Sequence, residues 1–475
     1  MINCISFLFL FLFATSCTLH PPFERPSVEI PETWRISVDE SSSYCNFRWW
    51  EQFEDPDLTA LILEALESNR DLKVAIASVY QYAGQLQVSQ AGLYPQIGAS
   101  FTGSRQESSI DFNPNPVGFP RVFNDFTCLL NASYDLDIWG SIRSANEASL
   151  AQLLAQEEAR RSVVLTLVAS VASAYIELKQ FDEQLHISQD TYKSRVESYN
   201  LALLRYHGGI TSELEPKQAK AEMETAAAQS LQFESAIAQQ ENLISLLVGH
   251  PPRAIRHGVP LDSLHLAEHV PAGIPSQVLE QRPDILQAEW NLTAANANIG
   301  VARAQFFPNI TLTGSYGNES AALKRLLTSP AGLWFYGASL LQPLFTGGQL
   351  VGQLNVAEAQ KLEAYYKYQQ TVLNAFREVD DALVVHQKSK ELLIVQDRRV
   401  QALVDALSLA TLQYDNGQVD YLNVLDARRN LFSAQLEEAQ AKSDTFLSLV
   451  NIYKALGGGW VGEADSWAVD EANED

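Results

Sequence analysis

The stretch Arg282-Pro283-Asp284-Ile285, continuing as helical sequence into Phe306-Phe307-Pro308-Asn309-Ile310, decides how the chain is read. About 210 residues earlier, Asn69-Arg70-Asp71-Leu72 leads in the same way into Leu93-Tyr94-Pro95-Gln96-Ile97. Without a gap, Asp71 pairs with Asp284, Ala75 with Ala288, Ala91 with Ala304, Pro95 with Pro308 and Ile97 with Ile310. Farther on, Ala132-Ser133 matches Ala338-Ser339, Tyr206 and Gly209 match Tyr414 and Gly417, and Gly249 matches Gly457. The 475 residues are therefore a tandem duplication, two halves of one architecture.

Each half strings together the same parts. Asp57 to Gly92 reads as helix, with Leu58, Leu61, Ile62, Ala65 and Leu66 on one stripe, and Pro95 ends it. Ile97, Ala99 and Phe101 then alternate with small or polar residues, which is the period of a strand. After a Pro/Gly/Asn loop from Asn113 to Pro120, a second strand alternates through Phe126, Cys128, Leu130, Ala132, Tyr134, Leu136 and Ile138. In the second half Ile310, Leu312, Gly314 and Tyr316 make the third strand, and Trp334, Tyr336, Ala338 and Leu340 the fourth. Such strands, apolar on one face and mostly small or polar on the other, are of membrane-barrel type. Behind each pair, Ser141 to Tyr206 and Gln349 to Tyr414 run about 65 residues without proline, roughly 100 Å of helix. Gly208-Gly209 and Gly417 turn these into return helices that end at Gly249 and Gly457.

The division that follows is a signal peptide over 1–16, an extended lead over 17–55, the first repeat over 56–252, a linker over 253–274, the second repeat over 275–460 and an acidic tail over 461–475. Four strands cannot close a barrel, and an open edge cannot sit in lipid with its backbone unpaired. Spanning strands must be pooled by several chains, and three chains would give twelve strands, within the range of such barrels.

A formal charge of −24 argues against nucleic acid as a partner. After the first residues no apolar run approaches the ~20 residues of a spanning helix. Ile5 to Ala14 is a short apolar segment followed by Thr15-Ser16-Cys17, which reads as a secretory signal with a lipoprotein-type site and Cys17 as the lipidated N-terminus. The other reading is a signal cleaved nearby, with Cys17 incidental. Cys45 and Cys128 read as two unrelated thiols, with an export-compartment disulfide as the other reading. His257, His265 and His269 lie in the linker without a Glu-His metalloprotease pattern, and no phosphate loop, CxxC or nucleophile elbow occurs. Neither a metal nor a catalytic residue is expected.

The second half also reads Leu279-Glu280-Gln281-Arg282-Pro283-Asp284-Ile285, Ala294-Ala295-Asn296-Ala297, Gln342-Pro343-Leu344-Phe345, Tyr421-Leu422-Asn423-Val424-Leu425-Asp426-Ala427 and Tyr453-Lys454-Ala455-Leu456-Gly457-Gly458-Gly459-Trp460. Taken in order these resemble the TolC/OprM-type outer-membrane efflux channels, in the lipoprotein, NodT-like branch. The resemblance runs from about Trp49 to Trp460. It implies a mainly α fold with a small β part: a homotrimer whose transmembrane β-barrel, four strands per chain, continues into a long α-helical coiled-coil barrel. It further implies an outer-membrane location, a periplasmic membrane-fusion adaptor, an inner-membrane pump of RND type, and no cofactor beyond the lipid on Cys17.

Candidate sites fall at the helical turns farthest from the strands. Leu422 and Asp426 are spaced i, i+4, and Asp426 and Arg429 i, i+3, so all three share one helix face. Threefold repetition would set a leucine constriction above an aspartate ring whose like charges repel and which Arg429 can compensate. The resemblance implies that these residues, with Tyr414 and Glu215, form a periplasmic gate, and that the turns at Gly208, Gly209 and Gly417 dock the adaptor. The plain alternatives are a solvated ion pair beside a core leucine, and turn chemistry alone. Glu215 is the counterpart of Asn423, and Gln218 that of Asp426. The favoured function is a passive, gated duct for small molecules such as drugs and toxic compounds. An exit channel for type I protein secretion and a non-conducting envelope tether stay open as alternatives, although a tether needs no barrel strands.

Overall fold

The structure is a computed structural model that describes residues 19–31, 33–36, 48–109, 121–265 and 275–458. Cys4, Cys17, Cys45, the Asn113–Pro120 loop, His269 and the acidic tail lie outside the described residues. The elements in chain order are α1 (Pro56–Ser68), α2 (Arg70–Ala91), β1 (Gln96–Glu107), β2 (Val122–Leu136), α3 (Ser141–His207), α4 (Leu214–Leu247), α5 (Pro275–Gln281), α6 (Pro283–Ala304), β3 (Asn309–Ser320), β4 (Gly332–Leu341), α7 (Gln349–Asp415) and α8 (Tyr421–Ala455). The duplication is visible in their lengths. Helices α2 and α6 both have 22 residues, β1 and β3 both have 12, and α3 and α7 both have 67.

Residue contacts divide the chain into two units. The sheet unit takes Val79–Gln156, Gln287–Tyr368 and the described residues up to Pro26. Its four strands are all antiparallel in the order β1-β2-β3-β4, so β1 and β4 are both edges. The register sets Phe101 opposite Cys128, Leu130 opposite Tyr316, and Tyr316 opposite Trp334. Directly opposed residues share a face. One face of the whole sheet therefore carries Ile97, Ala99, Phe101, Leu130, Tyr134, Leu312, Tyr316, Trp334, Tyr336 and Leu340. The other carries Ser100, Thr102, Asn131, Ser133, Asp135, Thr311, Thr313 and Ser315. Ile97 and Tyr336 are each 76% exposed. A face so apolar and so bare suits lipid, and the alternation was legible in the sequence; only Ile138, placed in the strand by that reading, falls beyond β2. At the helix side of the sheet Trp139 stacks on Phe307 at 4.6 Å and donates from its indole to the Pro308 carbonyl at 2.9 Å. Asp137 accepts from the backbone N–H groups of Ile142 and Arg143 at 3.0 and 2.9 Å, which starts α3.

The helical unit takes the described residues of Ser27–Ser78, Glu157–Leu286 and those from Gln369 onward. Its core is built around Trp49, Trp50 and Phe53 of a short 3-10 turn, which the sequence reading had placed in the extended lead. Trp49 stacks on Tyr453 at 5.1 Å. Helix α3 includes one window apolar enough by length and composition to cross a membrane, contrary to the sequence reading, but 67% of that window is buried. Val164, Val168, Val171, Ala172, Tyr175 and Ile176 from this stretch are core residues.

The single helix expected over Asp57–Gly92 is two. Asn69 turns extended between α1 and α2, with its amide N–H donating to the Leu247 carbonyl at 2.7 Å and its oxygen accepting from the Leu72 N–H at 2.9 Å. In the second repeat Arg282 occupies the same break. Its guanidinium donates to both Asp284 carboxylate oxygens at 3.0 and 2.7 Å, to Glu378 at 2.7 Å and to the Ala455 carbonyl at 2.7 Å. One buried arginine thus ties the start of α6 to α7 and to the end of α8. The linker is also more than a tether. Ile255, Leu261 and Leu264 are in the core, and the buried Lys179 ammonium pairs with Asp55 at 3.1 Å and donates to the His257 and Val259 carbonyls.

Candidate functional site

The ends of the two hairpins, α3–α4 and α7–α8, lie in the helical unit and carry every gate and docking residue expected from the sequence. Their backbones are built alike. The Ile210 N–H bonds to the Arg205 carbonyl and the Gly209 N–H to that of Tyr206; likewise Gln418 bonds to Gln413 and Gly417 to Tyr414. Both are Schellman turns, and the residue at the left-handed position is Gly209 (φ 67°) in one and Gly417 (φ 72°) in the other. The tip of the first turn is bare: Ile210 is 78% exposed.

The side chains around these turns differ. Helix α4 starts with a stripe of Glu215, Ala219, Glu222 and Ala226, all buried. The Tyr414 hydroxyl donates to one oxygen of Glu215 and the Thr211 hydroxyl to the other, which joins the end of α7 to the start of α4. Arg205 lies 5.1 Å over the Tyr414 ring and bonds Asp415 at 3.2 Å. Burial and the facing Glu215 carboxylate push the Tyr414 phenol up to about 12, so it remains a donor through neutral pH. Next to it Tyr421 packs on Tyr414 at 5.4 Å, and burial raises its phenol as well.

Two turns farther along α4, Glu222 sits between two arginines. Arg195 of α3 approaches its carboxylate at 3.2 Å and donates to its backbone carbonyl at 2.6 Å, while Arg429 of α8 donates to the carboxylate at 2.5 Å. Burial lowers the Arg195 guanidinium from its ordinary value; the hydrogen bond to Glu222 raises that of Arg429. Arg195 also covers the Phe432 ring at 4.9 Å.

Leu422, Asp426 and Arg429 do share an exposed face of α8, as their spacing requires. Leu422 is 52% exposed. The structure adds detail at two of the expected gate residues. Glu215 is not on that open face but buried between Tyr414 and Thr211. Arg429 reaches Asp426 only at 3.7 Å, and its shorter bond is to Glu222, so Asp426 remains the less compensated carboxylate. Glu222, Arg195, Arg205 and Tyr421 were missed. The signal available for Glu222 was its place on a helical stripe of small residues, where a carboxylate must find a partner. His257, far from these turns in sequence, lies between Asp182 at 2.7 Å and Glu241 at 3.3 Å.

Comparison with known proteins bears on the family and the fold. The family model described as "Outer membrane efflux protein" matches residues 61–250 and again 274–458, one match per repeat. A probable efflux pump outer membrane protein, TtgC of Pseudomonas putida, is 37% identical over 452 residues, covering 94% of this chain and 93% of its own. A probable outer membrane lipoprotein, SilC of Salmonella typhimurium, is 34% identical over 457 residues, covering 95% and 97%. Among solved structures, the open state of the MtrE outer membrane channel of Neisseria gonorrhoeae superposes with a TM-score of 0.84 at 34% identity, covering 94% of this chain and 99% of that one.

Proposed function

The chain belongs to the outer membrane efflux protein family and is an outer-membrane efflux channel, and from that premise we propose that it works as a homotrimer whose helical turns form the gate. The observation that carries the trimer is the four-stranded sheet with two unpaired edges and one face bare and apolar. Lipid admits no unpaired edge, so the strands of several copies must close one barrel.

In the gate, Leu422 and Asp426 line the constriction, and the carboxylates of three Asp426 residues repel one another. The Tyr414–Glu215–Thr211 and Arg195–Glu222–Arg429 bonds hold the hairpins closed beside them. Opening requires these bonds to exchange for others. The turns at Gly208, Gly209 and Gly417 receive a periplasmic adaptor, and an inner-membrane pump of RND type supplies the energy, so this subunit carries no catalysis of its own. The cargo is small molecules, in keeping with the efflux pump named for the Pseudomonas relative. Cys17 carries the lipid anchor, supported by the lipoprotein named among the relatives.

Single-channel conductance in planar bilayers, with Asp426→Ala beside the native protein, tests the gate. Small, gated conductance that grows in the variant is expected. Unchanged conductance removes Asp426 from the gate, and silence from confirmed trimers would favour the tether.

A further inference from the structure

The apolar sheet face ends in charge at one side only. Between Gln96 and Leu136 and between Asn309 and Leu341, the basic residues are Arg105, Arg121, Lys324 and Arg325. All four lie at the end where β1 turns into β2 and β3 into β4, opposite to the end that leads into helices. Arg105 is on the apolar face itself, in line with Ile97, Ala99 and Phe101. Eight residues of strand separate it from Ile97, about 27 Å. The lipid-facing band of a membrane barrel is about 25 Å tall, so Arg105 falls at its far rim.

Glu107 on the same face is already paired with Arg121 at 3.0 Å. Asp125 and Glu319 are on the opposite, polar face, as their register with Ser104 and Thr127 requires. Among the described residues Arg105, Lys324 and Arg325 make no ion pair. The register takes Arg105 to Asn124, and its continuation across β2 leads to Ala322, at the turn that holds Lys324 and Arg325.

That turn is braced. Leu326 is buried, Ser320 bonds both backbone groups of Ala322, and the Thr328 hydroxyl donates to the Arg325 carbonyl at 2.6 Å. Leu323 and Leu327, on either side of the two cations, are 57% and 83% exposed. Bare leucines flanking cations on a braced turn match a membrane interface, with apolar groups among acyl chains and cations at the head groups.

We propose that this end of the sheet binds the phosphate groups of an outer-leaflet glycolipid through Arg105, Lys324 and Arg325. The proposal rests on the channel reading, which puts the hairpin end of the barrel at the cell surface. A juxtamembrane cation contributes about fivefold in binding to an anionic lipid surface.

The test uses the full-length protein in phosphatidylcholine vesicles carrying diphosphoryl lipid A, dephosphorylated lipid A, or no lipid A with free inorganic phosphate. Lipid A bound per protein is measured for the native chain, Lys324→Gln/Arg325→Gln and Arg105→Gln. Native protein should prefer the diphosphoryl lipid, with affinity about 25-fold lower in the double variant and about fivefold lower in Arg105→Gln. Equal binding of dephosphorylated lipid, or unchanged variants, overturns the proposal, as does free phosphate occupying the site equally well. Conductance recorded on the same preparations keeps the two questions apart. Variants that conduct like the native protein are folded, and a silent native protein would refute the channel reading itself.

Discussion

The two hairpin turns are the same backbone carrying opposite chemistry. Both close with a Schellman turn on a left-handed glycine, Gly209 and Gly417, and both follow a 67-residue helix. After the first turn the return helix buries two carboxylates, Glu215 and Glu222, and gives each of them hydrogen-bond donors. After the second it exposes one, Asp426, whose side chain is 59% accessible and whose nearest cation is 3.7 Å away. Duplication preserved what the chain geometry needs and let the side chains divide the work. One return helix locks the bundle, while the other presents charge.

If that division is real, the largest loss of local stability comes from the locking side. Glu222→Ala leaves Arg195 buried without its carboxylate, and removing one member of a buried pair costs about 3 kcal/mol. Native-state hydrogen exchange at the ends of α4 and α8 should report an opening free energy lower by roughly that amount. An unchanged value would mean that the pair is incidental.

A smaller effect is expected from Tyr414→Phe, which strips the buried Glu215 carboxylate of one donor at a cost of about 1–2 kcal/mol. The same variant tests the sign of a pH effect. The phenol is held above its ordinary value of about 10, so its contribution is fully present below pH 10 and declines as pH rises toward 12. Exchange protection of native protein should show that decline and the Phe variant should not. The smallest expected loss is that of Gly209→Ala and Gly417→Ala, about 1 kcal/mol each for an L side chain at a left-handed position. Neither glycine has another atom within 4 Å of where a Cβ would lie, so the two losses should be equal. Unequal values would show that the turns are not one motif used twice.

Much of this was legible in the sequence because it is periodic or local. Strand alternation placed the residues it named in each strand on their proper faces, and the glycines marked the ends of the long helices to within a residue or two. The break at Asn69 was missed because the first repeat has no proline there; only its counterpart, Arg282-Pro283, shows that a helix must restart. The linker was misread because three buried apolar residues, Ile255, Leu261 and Leu264, have no period. The partnership of Glu222 with Arg195 joins helices across a turn, and no spacing rule connects such positions. That Glu215 points inward while Asp426 points outward depends on how the hairpins pack, which neither repeat states alone.

The order β1-β2-β3-β4 also has a consequence for how the chain is made. Strands β1 and β2 can pair as soon as they emerge, and so can β3 and β4. The central ladder is different: Trp139 and Pro308, bonded beside it, are 169 positions apart, and Asp135 bonds Thr311 from 176 away. Everything between belongs to α3, α4, the connector, α5 and α6. Closing such a span costs more chain entropy than closing either outer hairpin. The central ladder is thus the most non-local of the three, and its pairing is expected to lag behind that of the two outer hairpins.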